Sequence, residues 1–287
     1  LGSAVSSTLF FQLENNSPEM KFMDPHPLLP EEDYWSTPFA HALLQALDIF
    51  PGATVLDVAA GGGIPAFYLA EQVGSAGQVL AVDIHQRQIL RARTLQGTRF
   101  PWLKFEVADM RFLPPTLPEF DRITGNLSFM FFRPKRFEAL KNLIQFLKPG
   151  GQIVLTFPAL GTFDSLWDRV EREMSRRQLE NELKALAEYI EERPSTEQAG
   201  QWLEELGLEK VVVQDLPLEV KTGPGVDFLE HPLLRGGFLD DIYECFKDPA
   251  LADEFMAVIS EDIASFTPLI AQRGVISGWR QHDAGPQ

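Results

Sequence analysis

The chain has 287 residues, 45% of them hydrophobic and 23% charged, which exceeds a single core of ~100–200 residues and excludes disorder as the main state. With 41 acidic against 25 basic side chains the net charge is −16, so nucleic acid, whose binding rests on Lys and Arg neutralising phosphates, is not an expected partner. The charge is uneven: residues 1–160 hold 15 acidic and 13 basic side chains (net −2) and the remainder 26 and 12 (net −14), an acidic half not expected to attract an anionic ligand.

One cysteine, Cys245, leaves no intrachain disulfide framework and no thiolate metal cage, and no metal is expected. No window approaches the ~18–20 apolar residues of a membrane span, and Leu9-Phe10-Phe11 has no basic leader. The expectation is a cytoplasmic protein without stable membrane insertion.

Residues 1–36, with prolines at 18, 25, 27 and 30, read as an arm. A helix follows, capped by Thr37 with Pro38 at its first position, carrying Phe39, Leu43, Leu44 and Leu47 on one face and ending at Pro51-Gly52. Strands are then expected at 54–59, 78–82, 103–107, 122–125 and 152–157, alternating with helices at 64–73, 85–95 and 136–147. That alternation implies a doubly wound α/β core with a mostly parallel sheet.

After Gly161 the texture changes to a long acidic helical stretch, 164–193, whose Leu166, Trp167, Val170, Met174, Leu179, Leu183, Leu186 and Ile190 form an apolar stripe above a solvated, ion-paired face. A helix at 196–206, a strand at 210–216, a Gly- and aromatic-rich excursion at 221–247, a helix at 250–272 and a strand at 274–279 complete the chain. The expected division is 1–36 arm, 37–160 core, 161–193 helical cap insert, and 194–287 the end of the core sheet with a cap insertion at about 221–272.

The most informative segment is Val55-Leu56-Asp57-Val58-Ala59-Ala60-Gly61-Gly62-Gly63, a strand entering a glycine turn that opens a helix, where a ligand can lie against bare backbone. Asp83 ends the second strand, where a carboxylate can accept from both ribose hydroxyls. Gly61-x-Gly63-x-x-Ala66 also satisfies the dinucleotide fingerprint, so a nicotinamide-dependent oxidoreductase competes. Asp57 discriminates: at the end of the first strand it repels a pyrophosphate and attracts the ammonium of S-adenosylmethionine (SAM). A third reading is a non-catalytic SAM-binding interaction module.

These residues resemble the class I SAM-dependent methyltransferases, and among them the ubiquinone/menaquinone-type small-molecule enzymes, over roughly 36–160 and again over 194–280. Val55–Gly63 is similar to the family's first motif with Ala59 in place of its first glycine. Val79-Leu80-Ala81-Val82-Asp83-Ile84 resembles the ribose-binding strand, Phe105-Glu106-Val107-Ala108-Asp109-Met110 the adenine-binding stretch, 120–132 the fourth motif, and Leu147-Lys148-Pro149-Gly150-Gly151 the fifth-strand signature.

The resemblance implies a seven-stranded Rossmann-like sheet, SAM as cofactor with S-adenosylhomocysteine as product, and a cofactor site of Asp57, Ala59, Gly61, Gly63, Asp83, Ile84, Asp109, Met110, Asn126 and Leu127. Asp57 then balances the amino group, Asp83 holds the ribose, Asp109 and the Met110 backbone read adenine, and Asn126 and Leu127 stand where the methyl emerges. The place of the Asn/Asp-Pro-Pro-aromatic tetrad of base-methylating enzymes reads Gly125-Asn126-Leu127-Ser128, which with the acidic charge argues against DNA or RNA; the expected acceptor is a small, apolar or aromatic metabolite. Its pocket candidates are Tyr34, Trp35, Phe129, Phe132, Phe157, Trp167 and Phe228, with His231 as the candidate general base.

Overall fold

A computed structural model describes residue 28 and residues 35–132, 135–220 and 238–282. Its strands are β1 (Thr54–Val58), β2 (Gln78–Asp83), β3 (Leu103–Val107), β4 (Phe120–Gly125), β5 (Leu147–Pro158), β6 (Leu208–Val220) and β7 (Leu269–Arg280). They form one sheet in the order β3-β2-β1-β4-β5-β7-β6, parallel throughout except for β7, which runs antiparallel to both neighbours. The order reverses direction at β1/β4, and in such sheets ligands lie in the crevice at the carboxyl ends of the strands flanking that reversal.

Strand parity explains the two layers over the sheet. Val55, Val79, Ala81, Phe105 and Val154 share a core with α1 (Ser36–Ala46), α2 (Ala66–Val73) and α3 (Gln86–Gln96), into which Leu28 also packs. Leu56, Val58, Ile123, Ile153, Leu155 and Phe157 face the other way, toward α4 (Arg136–Ile144) and α7 (Thr196–Glu205). Each large side chain removed from water this way contributes on the order of 1.5–3 kcal/mol.

Beyond the sheet, α5 (Asp164–Arg176), α6 (Glu180–Glu191), α8 (Phe238–Glu244) and α9 (Pro249–Glu261) build a second apolar core around Phe163, Trp167, Phe238 and Phe255. Segments on either side of α7 and β6 in sequence therefore make a single cap. The long acidic helix expected at 164–193 is in fact α5 and α6, broken at Gln178, whose φ of +58° reverses the chain. The apolar stripe holds: Leu166, Trp167, Val170, Met174 and Leu186 are buried in the cap.

Three other boundaries differ from expectation. Helix α1 starts at Ser36 with no side-chain cap, because Trp35 before it has near-helical dihedrals and the buried Thr37 hydroxyl has no partner; it ends at Ala46, where Leu47 is extended. The helix expected over 250–272 stops at Glu261, and β7 begins at Leu269, since Pro268 removes a donor and biases Thr267 toward extended backbone. Strand β5, expected from residue 152, begins at Leu147, and residues 148–151 are a bulge inside it: Phe120 pairs with Leu147 and Arg122 with Gln152.

Candidate active site

The carboxyl ends of β3, β2, β1 and β4 are adjacent, so Asp109, Asp83, Asp57 and Asn126 stand in one row although 69 positions separate the first and last in sequence. Three strand spacings of ~4.8 Å make that row roughly 14 Å long.

Asp57 is fully buried on the α1 face of β1, in register with Thr124 of β4. The Thr124 hydroxyl donates to Asp57 Oδ1 at 2.7 Å, and Oδ2 has no partner. Burial pushes the Asp57 pKa up to about 7; the Thr124 hydrogen bond opposes the rise and the Asp83 charge adds to it. An isolated buried acceptor of this kind suits a cationic donor.

The turn after β1 is tied to β2: Ala60 N–H donates to Val82 O at 3.0 Å and Gly61 N–H to Asp83 Oδ2 at 2.9 Å, while His85 N–H donates to Asp83 Oδ1 at 2.7 Å. Gly61 has φ +52° and a Cβ there would meet nothing within 4 Å, so its bare side faces open space. Gly63 has φ +108° and a Cβ would lie 2.5 Å from the Phe67 ring, so glycine is required for packing. Ala59 holds φ +54°, a left-handed conformation that glycine adopts without steric cost. Beside Asp83, Ile84 is 54% exposed, an apolar face suited to a flat heterocycle.

Asp109 caps the short helical turn that starts at Met110, and Arg111 grips it through Nε at 2.9 Å and Nη2 at 2.6 Å. The Arg111 hydrogen bond holds the Asp109 carboxyl below the usual range. An adenine amine at Asp109 would share the carboxylate with this guanidinium, which the sequence reading did not foresee.

Asn126 is buried with both ends of its amide engaged: Oδ1 accepts from the Thr156 hydroxyl at 2.8 Å and Nδ2 donates to Ser36 O at 3.0 Å. Leu127, at φ +52°, donates its N–H to the same Thr156 hydroxyl at 3.0 Å. Asn126 thus fastens the first turn of α1 over the end of β4. Ser36, Thr124 and Thr156 all escaped the sequence reading, although strand parity places Thr124, Asn126 and Thr156 on one face.

Of the pocket candidates, Phe129, Phe132 and Phe157 are buried in the α4/α7 core, where Phe129 packs against Phe132, Phe157 and Trp202. Trp35 and Trp167 belong to a ring cluster with Phe163 and Phe238, with Trp35 5.7 Å from Phe238 and 6.0 Å from Phe163, and Trp167 6.3 Å from Phe238. Trp35 immediately precedes Ser36, so this cluster adjoins the Asn126 end of the row. Tyr34, Phe228 and His231 lie outside the described residues, as does most of the arm.

Strand order, glycine turn and acidic row together make a Rossmann-like sheet with a strand-end crevice, the arrangement of class I methyltransferases. Residues 55–151 match the family described as "Methyltransferase domain". The methyltransferase GfsG of Streptomyces halstedii is 30% identical over 186 residues, 64% of this chain and 63% of that protein. A tRNA (guanine(6)-N2)-methyltransferase of Thermus thermophilus is 32% identical over 40% of this chain and 37% of its own length, and the aklanonic acid methyltransferase DauC of Streptomyces sp. strain C5 is 34% identical over 45% and 60%. The chain thus spans less than two thirds of these relatives. The crystal structure of YcgJ from Bacillus subtilis superposes with a TM-score of 0.54 at 14% identity, covering 86% of this chain and 99% of that one, a likeness of fold. No helix among the described residues is long and apolar enough to cross a membrane.

Proposed function

We propose that this protein transfers a methyl group from SAM to a small, apolar or aromatic metabolite by in-line displacement. The observation that carries the reading is the pairing of Asp57 Oδ2, buried without a partner, with the open side of Gly61 one turn away. The first suits an ammonium and the second a close-lying chain, whereas a dinucleotide would bring its pyrophosphate to the same acidic strand end.

When bound, the cofactor supplies a methyl already activated by its sulfonium. The residues' work is then binding, alignment and exclusion of water. Asp57 holds the amino group, Asp83 the ribose, Ile84 and Asp109 the adenine, and Asn126 keeps α1 closed over the reacting end. The ring cluster of Trp35, Phe163, Phe238 and Trp167 offers an apolar bed for the acceptor, and aromatic faces favour the nearby sulfonium cation. His231 is the proposed general base for an acceptor that is protonated at the moment of attack.

The aklanonic acid relative supports a small-molecule acceptor, and the tRNA-modifying relative supports the opposite. The net charge of −16 favours the former. Titration of the purified chain with SAM in a calorimeter tests the cofactor, with one site per chain expected; no heat at millimolar SAM overturns the reading. Binding of NADH instead would favour the oxidoreductase.

A further inference from the structure

Arg193 is the most unusual cation among the described residues. It lies between α6 and α7, is 8% exposed, and its guanidinium stacks over Trp167 at 5.1 Å and Tyr189 at 5.7 Å. One nitrogen, Nη1, donates to Thr162 O at 2.9 Å. The other two, Nε and Nη2, are buried and have no hydrogen-bond partner. Leaving two such donors unmade costs on the order of 1–3 kcal/mol each, more for a charged group, so their emptiness needs a reason.

Nε and Nη2 form the edge of the guanidinium that meets two oxygens side by side. Asp164 and Asp241 attract the group electrostatically, but neither makes a hydrogen bond to that edge, and Asp164 is exposed and screened. The edge is also linked to the methyl-transfer end by an unbroken run of rings: Arg193 lies on Trp167, Trp167 neighbours Phe238, Phe238 neighbours Trp35, and the residue after Trp35 is hydrogen-bonded to Asn126.

From this geometry we infer that Arg193 is the anchor for a carboxylate on the acceptor, whose apolar or aromatic body lies along the Trp167–Phe238–Trp35 cluster toward Asn126. The inference rests on the methyltransferase reading and names its substrate class: an aromatic or otherwise apolar acid. It reverses, at one point in the cap, what the net charge of −14 over the C-terminal part suggests. A direct contact inside the cap outweighs solvated charges beyond a Debye length of ~8 Å.

The test uses the full chain saturated with S-adenosylhomocysteine and two probes of equal size, 1-naphthoate and its uncharged amide, titrated by calorimetry. Naphthoate binds at least about tenfold more tightly than the amide, as a bidentate charge-assisted contact requires. Arg193→Met removes that preference and leaves the amide's affinity unchanged. Arg193→Lys, which keeps the charge and the fold but not the two-pronged edge, loses about tenfold for naphthoate alone.

Equal binding of the two probes, equal losses for both in the variants, or full retention of naphthoate by Arg193→Lys overturns the anchor. S-adenosylhomocysteine binding is measured first and separately. If it fails, the methyltransferase reading falls; if it holds and the probes do not discriminate, only the anchor falls.

Discussion

The Thr124 hydroxyl donates to one oxygen of Asp57 at 2.7 Å and leaves the other buried and unpaired. Burial, with a smaller contribution from Asp83, raises this acid to about 7. A group protonated in the fold but ionised when unfolded favours the fold at low pH, so its contribution falls as pH rises from about 4 to 7 and is level above. An ammonium at Oδ2 favours the ionised form, so SAM binding below about pH 7 releases a proton and tightens as pH rises toward it. Calorimetry in buffers of different ionisation enthalpy reads that proton; Asp57→Asn abolishes the release and weakens binding about tenfold or more.

Gly61 and Gly63 should fail differently. Gly61→Ala places a methyl in the open space proposed for the cofactor's chain, at a left-handed backbone costing about 1 kcal/mol. It leaves a folded protein with little SAM affinity. Gly63→Ala drives a methyl into the Phe67 ring and costs about 1–3 kcal/mol for overpacking before any strain. Urea denaturation set beside a SAM titration separates the two.

Ala59→Gly should stabilise the chain. The φ of +54° costs an alanine about 1–2 kcal/mol, and the entropy lost by a glycine offsets about half of it. The gain expected from urea midpoints is about 0.5–1 kcal/mol, and a destabilised variant would show that the local backbone is not left-handed in solution.

Asp83 serves the fold beside its proposed ribose contact, since its two oxygens take the Gly61 and His85 backbone N–H groups at 2.9 and 2.7 Å. Asp83→Ala should cost about 1–2 kcal/mol in stability and about tenfold or more in SAM affinity. Asp83→Asn, which retains one acceptor oxygen, should fall between. Unchanged affinity in the alanine variant would place the ribose contact elsewhere.

In the cap, Arg176, Arg177 and Arg169 surround the buried Glu173 and hold its pKa at about 2, the Arg176 hydrogen bond contributing most. A depressed acid stabilises the fold above its unfolded pKa of about 4.5, and that contribution is lost as pH falls toward 2. Glu173→Gln should lower neutral-pH stability by about 1–3 kcal/mol and flatten the acid limb of the melting profile.

Much of the core was legible because its signals are local. The strand–helix alternation from 54 to 157, the glycine turn at 61–63 and the carboxylates at strand ends are each set by a few neighbouring residues. The cap was less legible: α5 and α6 carry a helical period on both sides of Gln178, so periodicity alone read one helix, and the start of β7 was hidden in an apolar run that suits either state.

By itself, then, the sequence determined a doubly wound sheet with an acidic, glycine-floored ligand crevice, because propensity, period and turn chemistry act over short spans. Tertiary structure alone decided which groups are satisfied in that crevice. Thr124 reaches Asp57 across 67 residues, Thr156 reaches Asn126 across 30, and Asn126 reaches Ser36 across 90. Those pairings depend on strand register and on where α1 and the cap come to rest. The same long-range packing leaves Asp57 Oδ2 and one edge of Arg193 unpaired, since a donor or acceptor is orphaned only once its surroundings have closed.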